Sequence, residues 1–220
     1  MSGFWQGGNV ETLIFRTKSD VSFRTGKKWV FKTTNSYVYQ ESDRVKSDED
    51  LLSMNFIYFN PERRIYPFAL GIINTDFARD INLRYNFGIG GTYQILRKKE
   101  HWLKLAINAG YEQTDFASSD FNRPEFNGTS SISTLRATFW VNGKYELLKK
   151  KLVFGHESYF QPSLEQSNNF RWQADLSLEM PVWEFLNVKI NYLHIHESVV
   201  VEEQKKEDRL LTIGFTLNTQ

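Results

Sequence analysis

The stretch Leu83-Arg84-Tyr85-Asn86-Phe87-Gly88-Ile89-Gly90-Gly91-Thr92-Tyr93 decides the fold class. Every odd position except Gly91 carries a bulky apolar side chain, and every even position is small, polar or charged. This period of two is typical of a β-strand with one apolar and one polar face. Similar segments recur between turns from Val10 almost to the C-terminus, and they exceed the usual strand length of about five or six residues. Such strands can cross a bilayer when tilted, so the pattern predicts an all-β fold, a transmembrane antiparallel up-and-down β-barrel.

The composition of the 220 residues agrees with a barrel, in which apolar residues are confined to alternate positions. Hydrophobic residues make up 40% and the mean hydropathy is −0.48, so no segment supplies the roughly twenty consecutive apolar residues of a membrane helix. The net charge of +1 is too small to favour nucleic acid, and the absence of cysteine excludes disulfides and thiolate metal sites. A barrel that crosses an outer membrane contacts lipopolysaccharide and phospholipid, so we expect these lipids as partners. We expect no nucleic acid and no cofactor.

Turn residues order the strands. Short connections are expected near residues 25–27, 60–63, 97–100, 149–151 and 181–184, and longer polar ones at 7–9, 41–48, 76–80, 116–130, 165–169 and 200–208. Their alternation predicts about twelve strands in one domain, residues 1–220, with tight periplasmic turns, long extracellular loops and both termini periplasmic. The first strand, Gly3 to Gln6, is short, and no secretory leader precedes Gly3, so we expect a mature or truncated chain.

Alternate residues along each strand face opposite sides of the sheet, so their odd or even position assigns them to a lipid-facing wall or a lumen wall. The two sets should not mix, because a Lys or Arg on the lipid face costs about 2–4 kcal/mol at the bilayer midplane. A soluble β-sandwich also explains the alternation, but not the long strands with alternating turn lengths. The expected lipid-facing residues are Leu13, Phe15, Val21, Trp29, Phe31, Met54, Phe56, Tyr58, Leu83, Phe87, Leu103, Leu105, Ile107, Leu135, Phe139, Val141, Leu176, Leu178, Val188, Ile190, Leu211, Ile213 and Phe215. The expected lumen residues are Arg16, Lys18, Lys32, Asn55, Arg84, Asn86, Lys104, Asn108, Glu112, Arg136, Asn142, Arg171, Gln173, Asp175, Glu179, Lys189 and Asn191.

Four segments carry a family resemblance: residues 2–12, which contain Gly8-Asn9, residues 28–41, residues 60–64 and residues 158–172. They resemble a family of uncharacterised outer-membrane β-barrels known as salt-induced outer-membrane proteins, a domain of unknown function, in its Bacteroidetes-type branch. The resemblance implies a barrel in the bacterial outer membrane of a Gram-negative cell. It implies no activity and no catalytic residues, and it implies that the first strand is cut short.

Two pairs of residues could carry chemistry. His156 and Ser158 lie two apart on the expected outer wall, a spacing that resembles the His-x-Ser of outer-membrane phospholipase A. A nucleophile also needs an orienting group and oxyanion donors, which the neighbouring strand does not offer, so a lipid-active hydrolase is the third-ranked hypothesis. His194 and His196 could bind a metal from one strand face, but no third ligand is evident. We predict a protein that is not an enzyme and has no metal site.

The leading functional hypothesis is a narrow or plugged pore for small solutes or ions. Twelve strands enclose a lumen between the side-chain-filled eight-stranded barrel and the sixteen-stranded porin. Buried charges must be paired, so we expect a lumen network of Arg84, Glu112 and Arg136, and a second pair of Asp175 with Lys189. The alternative is a scaffold barrel that binds a protein partner through the long loop 116–130. No motif indicates the solute, the partner or the oligomeric state.

Overall fold

The computed structural model describes residues 2–7, 11–148, 151–183 and 185–217. Parts of the predicted connections at 7–9, 149–151 and 181–184 lie outside the described residues. Two 3-10 turns occupy Phe77–Arg79 and Pro124–Phe126. The strands are β1 Ser2–Gln6, β2 Thr12–Thr25, β3 Trp29–Ser42, β4 Val45–Phe59, β5 Ile65–Asp76, β6 Ile81–Arg97, β7 His101–Phe116, β8 Ser131–Leu147, β9 Leu152–Pro162, β10 Phe170–Trp183, β11 Leu186–Glu197 and β12 Glu207–Leu217.

The twelve strands form one antiparallel sheet in chain order, from β1 to β12. This up-and-down order is the simplest for strands joined only by hairpins, and it confirms the predicted fold class, including the short first strand. Among the described residues, no helix is long and apolar enough to cross a membrane.

One predicted long loop is wrong. Residues 41–48 were expected to form an extracellular loop, but β3 continues to Ser42 and β4 begins at Val45. Asp43 and Arg44 alone form the turn, with φ of 50° and 63°. Two successive residues in the left-handed region are typical of a tight hairpin turn whose twist matches that of the strands. The polar character of 41–48 therefore indicates solvated strand ends rather than a loop.

The chain forms two compact units. Unit 1 contains residues 1–90, 109–135 and 200–204, and unit 2 contains residues 91–108, 136–199 and 205–220. The strands β6, β7 and β8 each contribute residues to both units. The prediction of a single domain over residues 1–220 stays a prediction.

In unit 1, burial distinguishes the two faces of the sheet. On β5, Tyr66, Phe68 and Leu70 are 4–6% exposed, whereas Ile65 and Ile73 on the opposite face are 68% and 37% exposed. We call the first the inner face and the second the outer face. β6 continues this pattern. Its even-numbered residues Arg84 and Asn86 are buried on the inner face, whereas Leu83 and Phe87, which were predicted to face lipid, are exposed on the outer face.

The prediction for β4 is wrong. Tyr58 lies opposite Phe68, and residue 56 lies opposite residue 70, so both belong to the inner face. β4 carries apolar residues on both faces, for example Tyr58 inside and Ile57 outside, and alternation therefore could not identify the lipid side. The residues that change wall are Met54, Phe56 and Tyr58, which are inner, and Asn55, which is outer.

In unit 2 the predicted parity is confirmed. Arg171, Asn187 and Glu197 are less than 10% exposed and lie on the inner face of β10 and β11. Residues predicted to face lipid lie on the opposite face, and several of them are exposed: Leu105, Ile107, Phe139, Val141, Leu211, Ile213 and Phe215.

Candidate functional site: the inner wall and its loop cap

The inner face of unit 1 carries buried polar side chains near the loop end of β6 and β7. Arg84, Asn86, Glu112 and Thr114 are 2–8% exposed, and Glu112 is one of the two largest fully buried side chains among the described residues. Arg84 Nε donates to Thr114 Oγ1 at 3.0 Å, and Asn86 Nδ2 donates to Glu112 Oε2 at 3.4 Å. Such burial is costly unless every group is satisfied, so this wall is organised around specific partners.

These contacts bear on the predicted charge network. The register was expected to bring Arg84 beside Glu112. The hydrogen bonds described above instead join Arg84 to Thr114 and Asn86 to Glu112, so this register differs from the expected one by two residues. Both charged groups do lie buried on the inner face of unit 1. Their coupling to one another and to Arg136 stays a prediction.

The inner face of unit 2 has its own buried polar group, centred on Gln161. Arg136 Nη1 donates to the Gln161 carbonyl at 3.0 Å, and its Nη2 donates to Asn169 Oδ1 at 2.9 Å. Gln161 Nε2 donates to Thr138 Oγ1 at 2.8 Å, while its Oε1 accepts from Arg171 Nε. All five side chains are at most 9% exposed, so these hydrogen bonds from two guanidinium groups to the neutral Gln161 and Asn169 are made within a buried wall.

The predicted pairing of Asp175 with Lys189 is wrong. Lys189 lies directly opposite Glu179, and Asp175 lies opposite Leu193. Four residues along a strand correspond to about 13 Å, which is too far for an ion pair. The register was misjudged because β10 continues to Trp183 and β11 begins only at Leu186, so the turn lies later in the chain than the predicted 181–184.

At the turn end of β4 and β5, the inner face of unit 1 is filled by aromatic rings. Tyr58 contacts Phe56, Tyr66 and Phe68, with ring centroids 5.7–6.0 Å apart, and the Phe56–Phe68 distance is 6.3 Å. Tyr66 and Phe68 are 4% and 5% exposed. We call these four residues the aromatic plug. The sequence pattern missed it because parity had placed Phe56 and Tyr58 on the lipid side.

At the loop end, residues 116–130 and 200–204 fold together in unit 1, and we call them the loop cap. Phe121 contacts Phe116 edge-on at 4.9 Å and Phe126 at 6.4 Å, and it forms a β-bridge with Val201. These residues and Val200 are 2–7% exposed. Phe116 shares the inner face of β7 with Glu112, so the cap packs against the inner side of the strand ends.

Hydrogen bonds tie the loop cap together. The Asn122 amide N–H donates to the Val200 carbonyl, and the Val200 N–H donates to Asn122 Oδ1, both at 3.0 Å. Asp80, at the end of the turn after β5, accepts from the Ala117 N–H at 2.8 Å and from Gln204 Nε2 at 3.0 Å. Three connections of unit 1 therefore meet at one aspartate. The clue in the sequence was the presence of large apolar residues inside loops that are otherwise polar.

The predicted hydrolase pair lies on the outer face of unit 2. His156 packs against Gly143, where an added Cβ would lie 2.6 Å from His156 Nε2, and its ring stacks on Tyr145 at 5.8 Å. Within the part of the chain that the structure describes, His156 and Ser158 share no hydrogen bond and no carboxylate is bonded to His156. The arrangement supplies neither an activated nucleophile nor an orienting acid.

His194 and His196 of β11 lie on the same face of the sheet as Trp172 of β10. The ring centroid of Trp172 is 4.5 Å from that of His194 and 5.9 Å from that of His196. Glu207 Oε2 lies 3.4 Å from His194 Nε2, and Glu207 Oε1 lies 3.6 Å from His196 Nδ1. Arg209 also bonds Glu207. No group of three or more metal ligands is positioned to hold an ion within the described ranges. The cluster is consistent with an aromatic and polar band at the loop end of the outer wall.

Comparison with known proteins supports this architecture. Residues 1–218 match a family model described as a protein of unknown function, DUF481. The chain belongs to this family. A search of curated proteins found no relative. Among solved structures, one match is a NanC porin, with a TM-score of 0.54 and 10% sequence identity over 99% of this chain and 97% of that chain. This likeness shows the fold, a porin-type β-barrel.

Proposed function

We propose that the protein is an integral β-barrel of the bacterial outer membrane that acts as a narrow, plugged pore for small solutes or ions. The long strands with apolar outer residues and the porin-type fold support the membrane location. The three longest connections, residues 117–130, 163–169 and 198–206, all lie at the same end of the strands, which supports an extracellular location for that end and a periplasmic location for the termini. On this view, lipopolysaccharide and phospholipid surround the outer wall.

The observation that carries the pore proposal is a polar inner wall in unit 1 that lies between an aromatic cluster and a packed loop cluster. Arg84 and Glu112 are buried behind the loop cap at one end, and the aromatic plug fills the inner face at the other. A purely structural barrel does not require buried charges, which are costly to desolvate. A pathway that opens when a cap moves does require polar groups along its wall. We infer a closed resting state.

Bilayer recordings of three proteins test this proposal. The wild-type protein should show little or no conductance. Replacement of residues 118–129 by a short Gly-Ser linker should remove the loop cap and produce measurable, weakly selective conductance. Replacement of 164–168, an exposed loop of unit 2, is the matched control and should leave the wild-type behaviour unchanged.

Silence of the cap-deleted protein, alone and combined with Arg136→Ala and Tyr66→Ala, would reject the pore. The scaffold function would then be favoured. Its specific support is the ordered loop cap, whose outer residues Pro124 and Glu125 are exposed and could contact a protein partner. A hydrolase has no comparable support, and variants at His156 and Ser158 should leave lipids and conductance unaffected.

A further inference from the structure

The outer face of β2, β3 and β4 carries small uncharged polar side chains at the middle of each strand. The register places them side by side, with Ser19 opposite Asn35, and Asn35 opposite Ser53. We call this cluster the polar patch, and it consists of Thr17, Ser19, Thr33, Asn35, Ser53 and Asn55.

The outward direction of the polar patch follows from its neighbours on β5. Asn55 lies opposite Gly71, where an added Cβ would lie 3.3 Å from the Phe87 ring. Phe87 is 52% exposed, and Ile57, two residues from Asn55 on the same face, is 38% exposed. The polar patch therefore shares its face with the apolar outer wall of unit 1.

Most of the polar patch lies between the two aromatic levels of these strands, and Thr17 lies opposite Tyr37 at the edge of one level. Trp29 packs on Phe59 at 4.8 Å at the turn end, and Phe15 packs near Tyr37 at 6.2 Å towards the loop end. Such rings prefer the headgroup level of a bilayer. Asn35 and Thr33 come between Trp29 and Tyr37 in β3, so they are placed at the level of the hydrocarbon core.

Some of the hydrogen-bonding capacity of the polar patch is used internally. Ser53 Oγ donates to Asn35 Oδ1 at 2.7 Å, Asn35 Nδ2 to Thr33 Oγ1 at 3.0 Å, and Asn55 Nδ2 to Ser53 Oγ at 3.1 Å. Across the residues that the structure describes, Thr17 and Ser19 form no side-chain hydrogen bond. A lipid tail cannot satisfy the remaining groups, because it neither donates nor accepts.

We propose that the polar patch is the contact surface for a second copy of this chain, related by a two-fold axis. Hydroxyl and amide groups both donate and accept, so the same patch on two molecules is self-complementary, as a two-fold interface requires. The patch contains no charge that would select a different, charged partner. Small side chains let two walls approach closely.

The shape of the surface agrees with this occupant. A shallow depression of about 130 Å³ is lined by Thr17, Ser19, Asn35 and Ser53 and bordered by Leu51. Leu51 is 41% exposed, so the same residue of the other copy has a suitable size to enter it. The proposal rests on the membrane location of the barrel but not on the pore, and its test does not involve conductance.

The absence of cysteine makes a direct test possible. Ser19→Cys and Asn35→Cys place single thiols in the polar patch, and Ala109→Cys places one on the exposed outer face of β7 as the matched control. Each protein is oxidised in proteoliposomes of outer-membrane lipids at a low protein-to-lipid ratio. Disulfide-linked dimers should form at Ser19 and Asn35 and stay at the background level at Ala109. Equal yields at all three positions, or none, would overturn the proposal.

A second measurement addresses affinity. The triple variant Ser19→Leu, Asn35→Leu and Ser53→Leu should still fold, which heat-modifiable gel migration will show. It removes the three adjacent polar side chains at the centre of the polar patch. Each polar contact between membrane segments contributes about a threefold change in association, so loss of three contacts should lower the dimerisation constant measured by energy transfer about thirtyfold. A dimer that persists undiminished in the triple variant would show that the contact lies elsewhere. If the triple variant does not fold, disulfide formation in Ser19→Cys and Asn35→Cys alone tests the proposed contact.

Discussion

The loop cap provides the strongest quantitative prediction, through the substitution Phe121→Ala. Phe121 is 3% exposed, and its ring contacts Phe116 at 4.9 Å and Phe126 at 6.4 Å. Removal of a buried phenylalanine ring costs about 3–5 kcal/mol, from lost transfer free energy and the cavity that remains. We expect the lower end of this range, because a loop collapses around a cavity more readily than a strand does.

A loss of about 3 kcal/mol from cap closure increases the open population more than about a hundredfold. The backbone bonds between residues 120–122 and 200–202 should open together with the ring cluster, because Phe121 lies between them. The strands themselves should keep their stability, since Phe121 belongs to no strand of the sheet.

Hydrogen exchange of the amides in 116–130 and 200–204 measures this effect, together with bilayer conductance of the same sample. Leu164→Ala is the matched control, because Leu164 is in a loop of unit 2 and is 60% exposed, and it should change neither readout. Unchanged protection of 116–130 in Phe121→Ala would refute the reasoning about the ring cluster. Lost protection with no change in conductance would show that the loop cap is not the barrier to ions.

Three further predictions concern the walls. Gly110→Ala should lower the free energy of unfolding by about 1–3 kcal/mol, because its Cβ would lie 2.3 Å from the Phe87 carbonyl oxygen, whereas Gly214→Ala, with open space around it, should be neutral in the same denaturation assay. Ile57→Arg should cost about 2–4 kcal/mol in refolding into lipid vesicles, and a neutral result would contradict the outward direction of Ile57. A double-mutant cycle of Arg84→Ala and Glu112→Ala should give a coupling energy above about 1 kcal/mol, as the predicted charge network requires. Additive losses of stability in the two single variants would contradict the network and indicate that Arg84 acts through its hydrogen bond to Thr114.

Local alternation explains why much of the fold was predictable. On β6, the position of a residue in the strand decides which face of the sheet it lies on. A charged Arg84 is far more costly than Phe87 on a lipid-facing wall, so the prediction placed Arg84 on the inner face and Phe87 on the outer face, as the structure does. On β4 the same reasoning failed, because Phe56 and Ile57 are both apolar and either could face lipid. Only the pairing of β4 with β5 resolves the choice, since it places Tyr58 opposite the buried Phe68.

Partners across strands and loops required the tertiary structure. β10 extends to Trp183 before the chain turns, so Lys189 faces Glu179 instead of Asp175. The loop cap joins Asn122 to Val200, which are 78 residues apart in the chain.

The sequence by itself determined the strand class, the family and, for most strands, which side chains lie on the outer face, because each follows from the order of neighbouring residues. The tertiary structure alone decided which buried groups are partners, how the interior is filled and where polar residues are exposed on the outer wall. The physical reason is that burial depends on register and loop packing, and these are set by contacts between residues far apart in the chain.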